Sequence, residues 1–376
     1  MKKLFLTLLI MTSVLFFSHA FADETNYYLI VDAGSTGTRL HFFKHNDDKN
    51  MPVIEEIFSE KNSIPLADKA FEAIDPLLQS VVKKIRSHHI KTPVAISILG
   101  TAGMRLLPSE QQKNIYQKLS DGISASYKDI LEPHHIETIS GKMEGIYDWL
   151  DVNYLQKNFQ NNTPTSGSID IGGASTQIAF ATDKSSKSID EVSLTLNKVN
   201  YIVFSKSFLG LGLDQARESM NIDENAGFCY PKNYNRTGKF DLASCSLIYN
   251  QVIENYHIDQ LAMPTYKIPS FVAFSGAYYT YHFFGTDPNV PDQDTLEQTI
   301  IQPTCSNTWE TLKEAYSAEP ENYLANYCAN SIFVTDLLYG PFRLQSKQIH
   351  VLSSINENKI DWALGAMLYT IITREN

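Results

Sequence analysis

The chain has 376 residues, of which 43% are hydrophobic, and its 31 basic and 42 acidic side chains give a formal charge of −11 at pH 7. This length exceeds one comfortable hydrophobic core and predicts two lobes. The acidic balance excludes an extended nucleic-acid groove, because such a groove neutralises phosphates with lysine and arginine. It is compatible with a small phosphorylated substrate, since a metal ion supplies positive charge locally.

The first 22 residues have the organisation of a secretory signal peptide. Two lysines precede an apolar run over residues 4–17, and residues 20–22 (AFA) form a small-x-small cleavage site. The run is shorter than the ~20 residues that span a bilayer, so an uncleaved membrane anchor is the weaker interpretation. Cleavage removes two lysines and no acid, which changes the formal charge to −13. We expect an exported protein, periplasmic or secreted, whose mature form has no membrane span.

Strand and helix patterns alternate in the first part of the chain, which is typical of an α/β lobe. An aromatic strand ends at Asp32 and a glycine-rich turn, and a second strand returns from that turn. The elements expected in order are strands at 26–31 and 40–43, a helix over 68–89, a strand at 94–99, a helix around 112–119, a strand at 136–139 and a helix from Ser140 to about Tyr154.

A polar segment at 158–167 is the best candidate for a linker. Directly after it, residues 168–173 repeat the succession of strand, aspartate and glycine turn. Asp32 and Asp170 therefore occupy equivalent places, and a duplicated lobe explains both copies. We expect lobe I at 23–160 and lobe II at 161–355, with the C-terminal helix at 356–376 packing back on lobe I.

Four cysteines, all in the C-terminal half, indicate structural disulfides in an exported protein. There is no CxxC spacing, so zinc binding is the weaker interpretation. Sequence alone allows three pairings. The order of the residues favours sequential pairs that close short loops: Cys229 with Cys245, and Cys305 with Cys328.

Residues 32–39 (DAGSTGTR) combine glycines with hydroxyl side chains after a strand. Glycines allow a tight turn whose N–H groups form an anion-binding concavity. An aspartate there would repel phosphate, so it makes sense as the holder of a hydrated divalent cation. One such turn is also explained as an ordinary polar β-turn. Residues 170–177 (DIGGASTQ) repeat the device, however, and two facing copies would clamp a phosphate chain from both sides.

Glu144 lies near the start of the helix expected after Ser140, where a carboxylate also complements the helix dipole. Phosphoryl transfer to water requires a group that orients and deprotonates the nucleophile. The turns contain no histidine or cysteine, and His41, just beyond the first turn, is expected to be packed. Glu144 is therefore the candidate general base.

Five blocks in this order resemble the conserved regions of the nucleoside triphosphate diphosphohydrolase (apyrase) family, which includes ecto-ATPases and the Golgi guanosine diphosphatase. They are residues 31–43, 99–107, 139–155, 168–180 and 360–369. The resemblance implies a two-lobed α/β fold of the actin, hexokinase and Hsp70 type (ribonuclease H-like), with mixed sheets and an active-site cleft between lobes. The signal peptide, without flanking transmembrane helices, indicates a soluble exported member such as bacteria use.

The resemblance implies hydrolysis of terminal phosphates from ATP, GTP and other nucleoside triphosphates, and leaves diphosphates open as substrates. Glu144 would activate water, and Ser175 and Gln177 would hold that water in line with the terminal phosphorus. Asp32 and Asp170 would position a divalent cation (Mg²⁺, Ca²⁺ or Mn²⁺) through its waters. The residues expected to cradle phosphates are Ser35, Thr36, Gly37, Thr38, Thr101, Gly172, Gly173 and Ala174.

Other positions have two interpretations each. Arg105 either approaches phosphate or makes a structural pair. Tyr278 and Tyr279, with Tyr281 nearby, either stack a nucleobase, which would tolerate every base, or belong to the core. Trp362 either supports the cleft or is simply buried. Animal cell-surface members often carry histidine where this chain has Gly37, which leaves the preference between triphosphate and diphosphate open.

Three other functions share parts of this pattern. An exopolyphosphatase or guanosine pentaphosphatase has a similar pair of turns, but export, the cysteines and the block at 141–149 disfavour it. A sugar or acetate kinase is disfavoured because ATP is scarce outside the cytoplasm. An exported nucleotide-binding or host-interaction protein without turnover is disfavoured by the presence of Glu144, Ser175 and Gln177. The pattern carries no information on oligomeric state.

Overall fold

A computed structural model describes residues 26–46, 48, 50–91, 93–183, 185–222, 224–258 and 268–374. The signal peptide expected at residues 1–22 lies outside these described residues. Within them, every helix is too short or too polar to cross a membrane.

Five strands form the first sheet: β1 (Asn26–Ala33), β2 (Thr38–His45), β3 (Ile54–Asn62), β4 (Val94–Gly100) and β5 (Leu131–Thr138). β1 pairs antiparallel with β2 and parallel with β4, which gives the order β3-β2-β1-β4-β5. The last strand begins at Leu131, five residues earlier than the sequence pattern predicts. Its residues 132–135 are exposed at the sheet edge and therefore lack the apolar alternation that marks a half-buried strand.

Six strands form the second sheet: β6 (Gly167–Ile171), β7 (Ser175–Thr182), β8 (Glu191–Leu196), β9 (Val199–Leu209), β10 (Phe271–Ser275) and β11 (Ile349–Val351). Their order is β11-β10-β6-β7-β9-β8. Without β8, this order and the strand directions are the same as in the first sheet. The two sheets therefore share one topology, as the duplicated sequence motif predicts. A two-stranded hairpin, β12 (Ser354–Ile355) with β13 (Asn358–Lys359), precedes the last helix.

The helices predicted from periodicity are present, with others that connect the strands. The α-helices of the described residues are α1 (Leu66–Lys69), α2 (Phe71–Ser87), α3 (Ala102–Arg105), α4 (Ser109–Tyr127), α5 (Gly141–Leu155), α6 (Asn158–Asn161), α7 (Leu213–Met220), α8 (Leu242–Glu254), α9 (Gly276–Phe283), α10 (Gln302–Cys305), α11 (Trp309–Ala315), α12 (Glu321–Leu324), α13 (Tyr327–Tyr339) and α14 (Trp362–Thr373). Short 3₁₀ turns lie at Ala226–Cys229, Tyr234–Arg236 and Ser346–Gln348, and a π-helix lies at Thr295–Ile301.

Two helices, α5 and α14, lie between the sheets. α5 packs against β6, β7 and β9, and α14 packs against α5 and against β1 and β3. Gly365 permits this approach, because a Cβ at that position would lie 1.8 Å from the carbonyl oxygen of Tyr147. The C-terminal helix thus contacts the first sheet. The exact division into lobes at 23–160 and 161–355 stays a prediction.

Part of the polar segment at 158–167, the best linker candidate of the sequence, is helical. Asn158–Asn161 forms α6, and Phe159 is fully buried. The ring of Phe159 packs edge-on against Trp149 and Tyr201, with centroids 5.4 and 5.5 Å apart. Phe159 is the one aromatic residue of this polar run, and its apolar surroundings come from residues that the tertiary structure brings to it.

Both expected disulfides are present, and all four cysteines are buried. Cys229–Cys245 joins a 3₁₀ turn to α8, and Cys305–Cys328 joins α10 to α13. The bridges therefore connect helices of the second half of the chain.

Reduction of these bridges is expected to lower the melting temperature. The sequence separations are 16 and 23 residues, and closing a loop of such a length contributes about 3 kcal/mol per bridge. Thermal melts with and without a reductant, combined with a thiol titration, measure the effect. An unchanged melting temperature after four free thiols have appeared would contradict a stabilising role.

Asp336, on α13, is a buried carboxyl remote from the conserved turns. Burial raises its pKa to about 7, a hydrogen bond with Ser246 lowers it, and the charge of Glu297 raises it. The folded protein therefore holds this proton more tightly than the unfolded chain. Its contribution to stability is complete below about pH 4 and is lost as the pH rises towards 7.

Asp336→Asn is expected to remove this part of the pH dependence and to stabilise the protein at pH 8. The expected gain in free energy of unfolding is up to about 4 kcal/mol, because one pKa unit corresponds to about 1.4 kcal/mol. Melting curves at pH 5 and pH 8 measure it, with the exposed Asp294→Asn as the control. The same loss of stability between pH 5 and pH 8 in Asp336→Asn as in the wild type would rule this explanation out.

Candidate active site

The two hairpin turns face each other across a cleft of about 510 Å³. Ser35 and Thr36 line it from the first turn, and Gly173 and Ala174 line it from the second. The two turns come close to each other at Gly173, where an added Cβ would lie 2.9 Å from Ser35 Oγ and 3.0 Å from Thr36 Cγ2. Four of the predicted phosphate-binding residues therefore share one space.

The start of α7 forms a wall of this cleft that sequence reasoning missed. The Asp214 N–H donates a 2.9 Å hydrogen bond to the carbonyl oxygen of Gly173. Gly212 makes this possible, because a Cβ there would lie 2.5 Å from the same oxygen. Arg217 pairs with Asp214 at 2.5 Å and also lines the cleft. Residues 210–214 contain glycines, but no sequence pattern there indicates that this segment lines the cleft.

Two further predicted phosphate-binding residues have hydroxyl groups that are engaged with the backbone. Thr38 is buried and donates from Oγ1 to the carbonyl oxygen of Ile64 at 2.9 Å. Thr101 is buried and donates to the carbonyl oxygen of Ala33 at 3.4 Å. In this structure both side chains brace the first turn.

The predicted glycines Gly37 and Gly172 shape the two turns. A Cβ on Gly37 would lie 2.5 Å from the carbonyl oxygen of Asn62, so a larger residue would require the neighbouring loop to move. The Gly172 N–H donates to the carbonyl oxygen of Ser175 at 3.0 Å, which closes the second turn. Close packing against Asn62 thus explains the glycine at position 37 without reference to the substrate.

The predicted catalytic trio meets beside the second turn. Gln177 Nε2 donates to Glu144 Oε2 at 3.1 Å and to Ser175 Oγ at 2.6 Å. Arg105 Nη2 donates to the same glutamate oxygen at 2.8 Å and to Ser175 Oγ at 3.1 Å. Arg105 therefore pairs directly with the candidate base, which is the pairing alternative of the two considered from the sequence.

Local structure explains how Glu144 reaches this position. Ser140 caps α5, and its side chain accepts a 3.2 Å hydrogen bond from the Met143 N–H. Gly145 lets the first turns of α5 press against β9, because a Cβ there would lie 2.4 Å from Ser205 Oγ. Glu144 is consequently only 5% exposed. Burial raises the pKa of Glu144, while the charge and hydrogen bond of Arg105 lower it.

The two predicted metal-site aspartates face the same region as Glu144. Burial raises the pKa of Asp32, with Asp361 and Glu144 adding to the rise and Arg39 opposing it. Burial likewise raises the pKa of Asp170, a hydrogen bond with Ser275 lowers it, and Glu144 raises it. Both aspartates respond to the charge on Glu144, as expected for acids that border one gap.

These aspartates fit a hydrated divalent cation. The Oδ1 atoms of Asp32 and Asp170 are buried and have no hydrogen-bond partner in the described structure. Lone pairs of this kind suit the water shell of a hard cation. Across the described residues, no three His, Cys, Asp or Glu side chains converge closely enough to hold an ion directly.

A second group of charges behind Asp32 was missed from the sequence. Asp361 caps α14 and forms an ion pair with Arg39, and His41 Nε2 lies 3.5 Å from Asp361. Burial lowers the pKa of Arg39, but Asp361 and Asp32 raise it, and the net shift is upward. Asp361 precedes Trp362 in a block that the sequence analysis singled out, and Arg39 ends the first motif. The sequence thus singled out both blocks, but it gave no indication that Asp361 of one block pairs with Arg39 of the other.

The aromatic candidates divide into core and surface. Tyr281 is fully buried and bonded to Thr335 at 3.1 Å, so it belongs to the core. Trp362 is 6% exposed and packs in the interior. Tyr279 is 58% exposed, with Tyr278 edge-on beside it at 5.5 Å, and it contributes to the raised pKa of Arg39. Tyr279 therefore keeps a large part of its side chain exposed.

The whole chain is similar to known phosphohydrolases. The sequence model of the GDA1/CD39 (nucleoside phosphatase) family matches residues 18–252 and 243–375. An ectonucleoside triphosphate diphosphohydrolase 1 of Mus musculus is 27% identical, over 92% of this chain and 81% of its own length. A nucleoside-triphosphatase of Caenorhabditis elegans is 28% identical, over 92% and 73%, and a Golgi apyrase of Saccharomyces cerevisiae is 26% identical, over 92% and 70%.

Solved structures agree on the fold. A nucleoside triphosphate hydrolase from Neospora caninum superposes with a TM-score of 0.65 at 13% identity, covering 93% of this chain and 92% of its own. A Ppx/GppA protein of Aquifex aeolicus has a TM-score of 0.58 at 14% identity, covering 94% of this chain and all of its own. The fold expected from the sequence, the two-lobed α/β type, is thereby confirmed.

Proposed function

The chain belongs to the GDA1/CD39 family of nucleoside phosphatases, and on this premise we propose that it removes terminal phosphates from nucleoside triphosphates, and from diphosphates in turn, by direct attack of water. The observation that carries the proposal is the convergence of Glu144, Ser175 and Gln177 within hydrogen-bond distance. This trio stands next to the cleft between the two turns. Ectonucleotidases and apyrases are among the relatives.

In the proposed reaction Glu144 takes the proton of the attacking water. Its hydrogen bonds with Gln177 and Arg105 fix the orientation of the carboxylate. Ser175 Oγ and the amide oxygen of Gln177 hold the water in line with the terminal phosphorus, which is the positioning that phosphoryl transfer needs. As the water oxygen bonds to the terminal phosphorus, the bond from phosphorus to the bridging oxygen breaks, and the shortened nucleotide leaves with that oxygen. No covalent phosphoenzyme arises, because the nucleophile is water and not a side chain.

The two turns hold the phosphate chain. Ser35 and Thr36 offer hydroxyl donors, and Gly173 and Ala174 offer a backbone that a ligand can approach closely. Asp32 and Asp170 would hold a divalent cation, which would offset the negative charge of the phosphate oxygens. We place the nucleobase near Tyr279, whose exposed ring can stack any base.

We further propose that the enzyme acts outside the cytoplasm, after cleavage behind residue 22. The two disulfides support this location, because disulfides persist in oxidising compartments. N-terminal sequencing of the protein recovered from the periplasm or medium tests it, and an intact N-terminus would refute cleavage.

A time course of ATP, ADP, AMP and phosphate with purified mature protein tests the function. We expect ATP to decline first and AMP to accumulate. Long-chain polyphosphate serves as the comparison substrate, since a faster release of phosphate from polyphosphate would assign the protein to that reaction instead. Tight ATP binding without phosphate release would indicate a binding protein.

Arg105→Gln is expected to move the acidic limb of the pH–rate profile to higher pH. The positive charge of Arg105 lowers the pKa of Glu144, because a neighbouring opposite charge favours the ionised carboxylate. Without it, the base stays protonated at a higher pH. Lys113→Gln, a change on α4, is the control. An acidic limb at the wild-type position would show that the pair does not set the protonation of Glu144.

A further inference from the structure

Asp148 is a buried carboxyl for which the proposed reaction has no use. It follows Glu144 by four residues on α5, so the two side chains project from the same face of the helix. Asp148 is 1% exposed, and neither carboxylate oxygen has a hydrogen-bond partner in the described structure. Buried carboxyl groups are normally paired, hydrogen-bonded or bound to a cation. Asp148 therefore lacks a partner that its position requires.

The charges around Asp148 add to the cost of burying its carboxylate without a partner. Burial raises the pKa of Asp148, and the negative charges of Asp170, Glu144, Asp151 and Asp361 raise it further. These are its five largest influences, and none comes from a basic side chain. Among the described residues, no basic side chain is thus named as a partner of Asp148.

Asp151, almost one turn further along α5, shows what a structural carboxyl looks like on the same helix. It is equally buried, but its Oδ2 accepts a 2.8 Å hydrogen bond from the backbone N–H of Asp361. Asp151 thereby ties α5 to the start of α14. Asp148 makes no such bond, so a tie between helices does not explain it.

The surroundings of Asp148 connect it to the predicted cation site. α5 packs against β6, which carries Asp170, and against β7, which carries Gln177. Of all charged groups, Asp170 has the strongest influence on Asp148. Asp170 itself has a buried Oδ1 without a partner. Two buried carboxyl groups with unused oxygens thus lie on elements that pack against each other, α5 and β6.

Resting on the proposed function, we propose that Asp148 is a further carboxylate of the cation site and holds the water shell of the divalent ion from the α5 side, while Asp32 and Asp170 hold it from the two hairpins. The number of carboxylates tunes the affinity of a site for a hard cation. Three acids supply enough charge to bind the ion without help from phosphate oxygens. The protein therefore binds a divalent cation before the nucleotide arrives.

The experiment is a titration of nucleotide-free mature protein with Mn²⁺, followed by the electron paramagnetic resonance signal of the free ion. This readout requires no turnover. We expect one Mn²⁺ per wild-type chain, and an affinity at least about 10-fold lower in Asp148→Asn, as for other residues that act on a metal through its ligands. Asp151→Asn is the matched control, because it neutralises an equally buried acid of the same helix, and it should keep the wild-type affinity.

Equal Mn²⁺ affinities of the wild type and Asp148→Asn would overturn the proposal, as would a nucleotide-free wild type that binds no Mn²⁺. Circular dichroism reports whether the variants fold, and Asp148→Ser replaces the amide if Asp148→Asn does not. Failure of the proposed function has a different signature. A protein that binds Mn²⁺ through Asp148 and releases no phosphate from ATP would support this cation site and refute the reaction.

Discussion

Glu144→Gln is expected to lower kcat by about 10²–10⁴-fold, the usual effect of losing a general base, while nucleotide binding is largely kept. The amide has nearly the same shape as the carboxylate and still accepts a hydrogen bond from Gln177. It has no basic oxygen, so the attacking water keeps its proton. Single-turnover rates and a separate nucleotide-binding titration distinguish chemistry from affinity.

Glu137→Gln is the matched control for this variant. Its side chain is 60% exposed at the end of β5, so its loss should leave kcat unchanged. Turnover close to the wild-type value in Glu144→Gln would remove Glu144 from the role of base. A loss of binding with unchanged kcat would reassign it to substrate binding.

Removal of divalent cations with EDTA is expected to abolish hydrolysis, and Mg²⁺, Ca²⁺ or Mn²⁺ should restore it. A bound cation contributes several kcal/mol to the stabilisation of charge in such a transition state, which corresponds to about 10³-fold or more in rate. Asp32→Asn and Asp170→Asn should each require about 10–100-fold more metal for half-maximal activity, since both act on the ion through water.

The control for this experiment is a measurement that shows whether the protein stays folded in EDTA. α5, α14 and the two sheets are packed through apolar cores that contain no metal-binding cluster within the described residues. The far-ultraviolet circular dichroism spectrum should therefore stay unchanged in EDTA. Full hydrolytic activity in excess chelator would refute the role assigned to Asp32 and Asp170.

The strand and turn pattern around Asp32 and Asp170 was readable from the sequence because it is local. A strand, an aspartate and a glycine turn occupy fewer than ten consecutive residues, and their duplication identifies two equivalent hairpins. Helical periodicity likewise indicated α2, α4 and α5. Ser140 placed the start of α5, and with it Glu144, because a helix cap is encoded within four residues.

The same local reasoning misjudged elements whose environment lies elsewhere in the chain. Residues 158–161 read as polar linker but form α6, because Phe159 meets Trp149 and Tyr201 in the folded protein. The beginning of β5 was missed because an exposed edge strand carries no apolar alternation. In both cases the environment of the element depends on the tertiary structure, which a local sequence pattern does not show.

The sequence by itself predicted the two hairpins and the family, since these depend on short motifs. The order of the cysteines favoured the sequential pairs, and the motifs named Glu144, Ser175 and Gln177 as the candidate catalytic residues, which stays a prediction. Only the tertiary structure decided that Arg105 pairs with Glu144, that Asp361 reaches Arg39, and that α5, which carries Asp148, packs against β6, which carries Asp170. These contacts depend on how α5 and α14 pack between the sheets. A helical pattern shows which side chains share a face of α5, but the groups opposite that face are set by long-range packing.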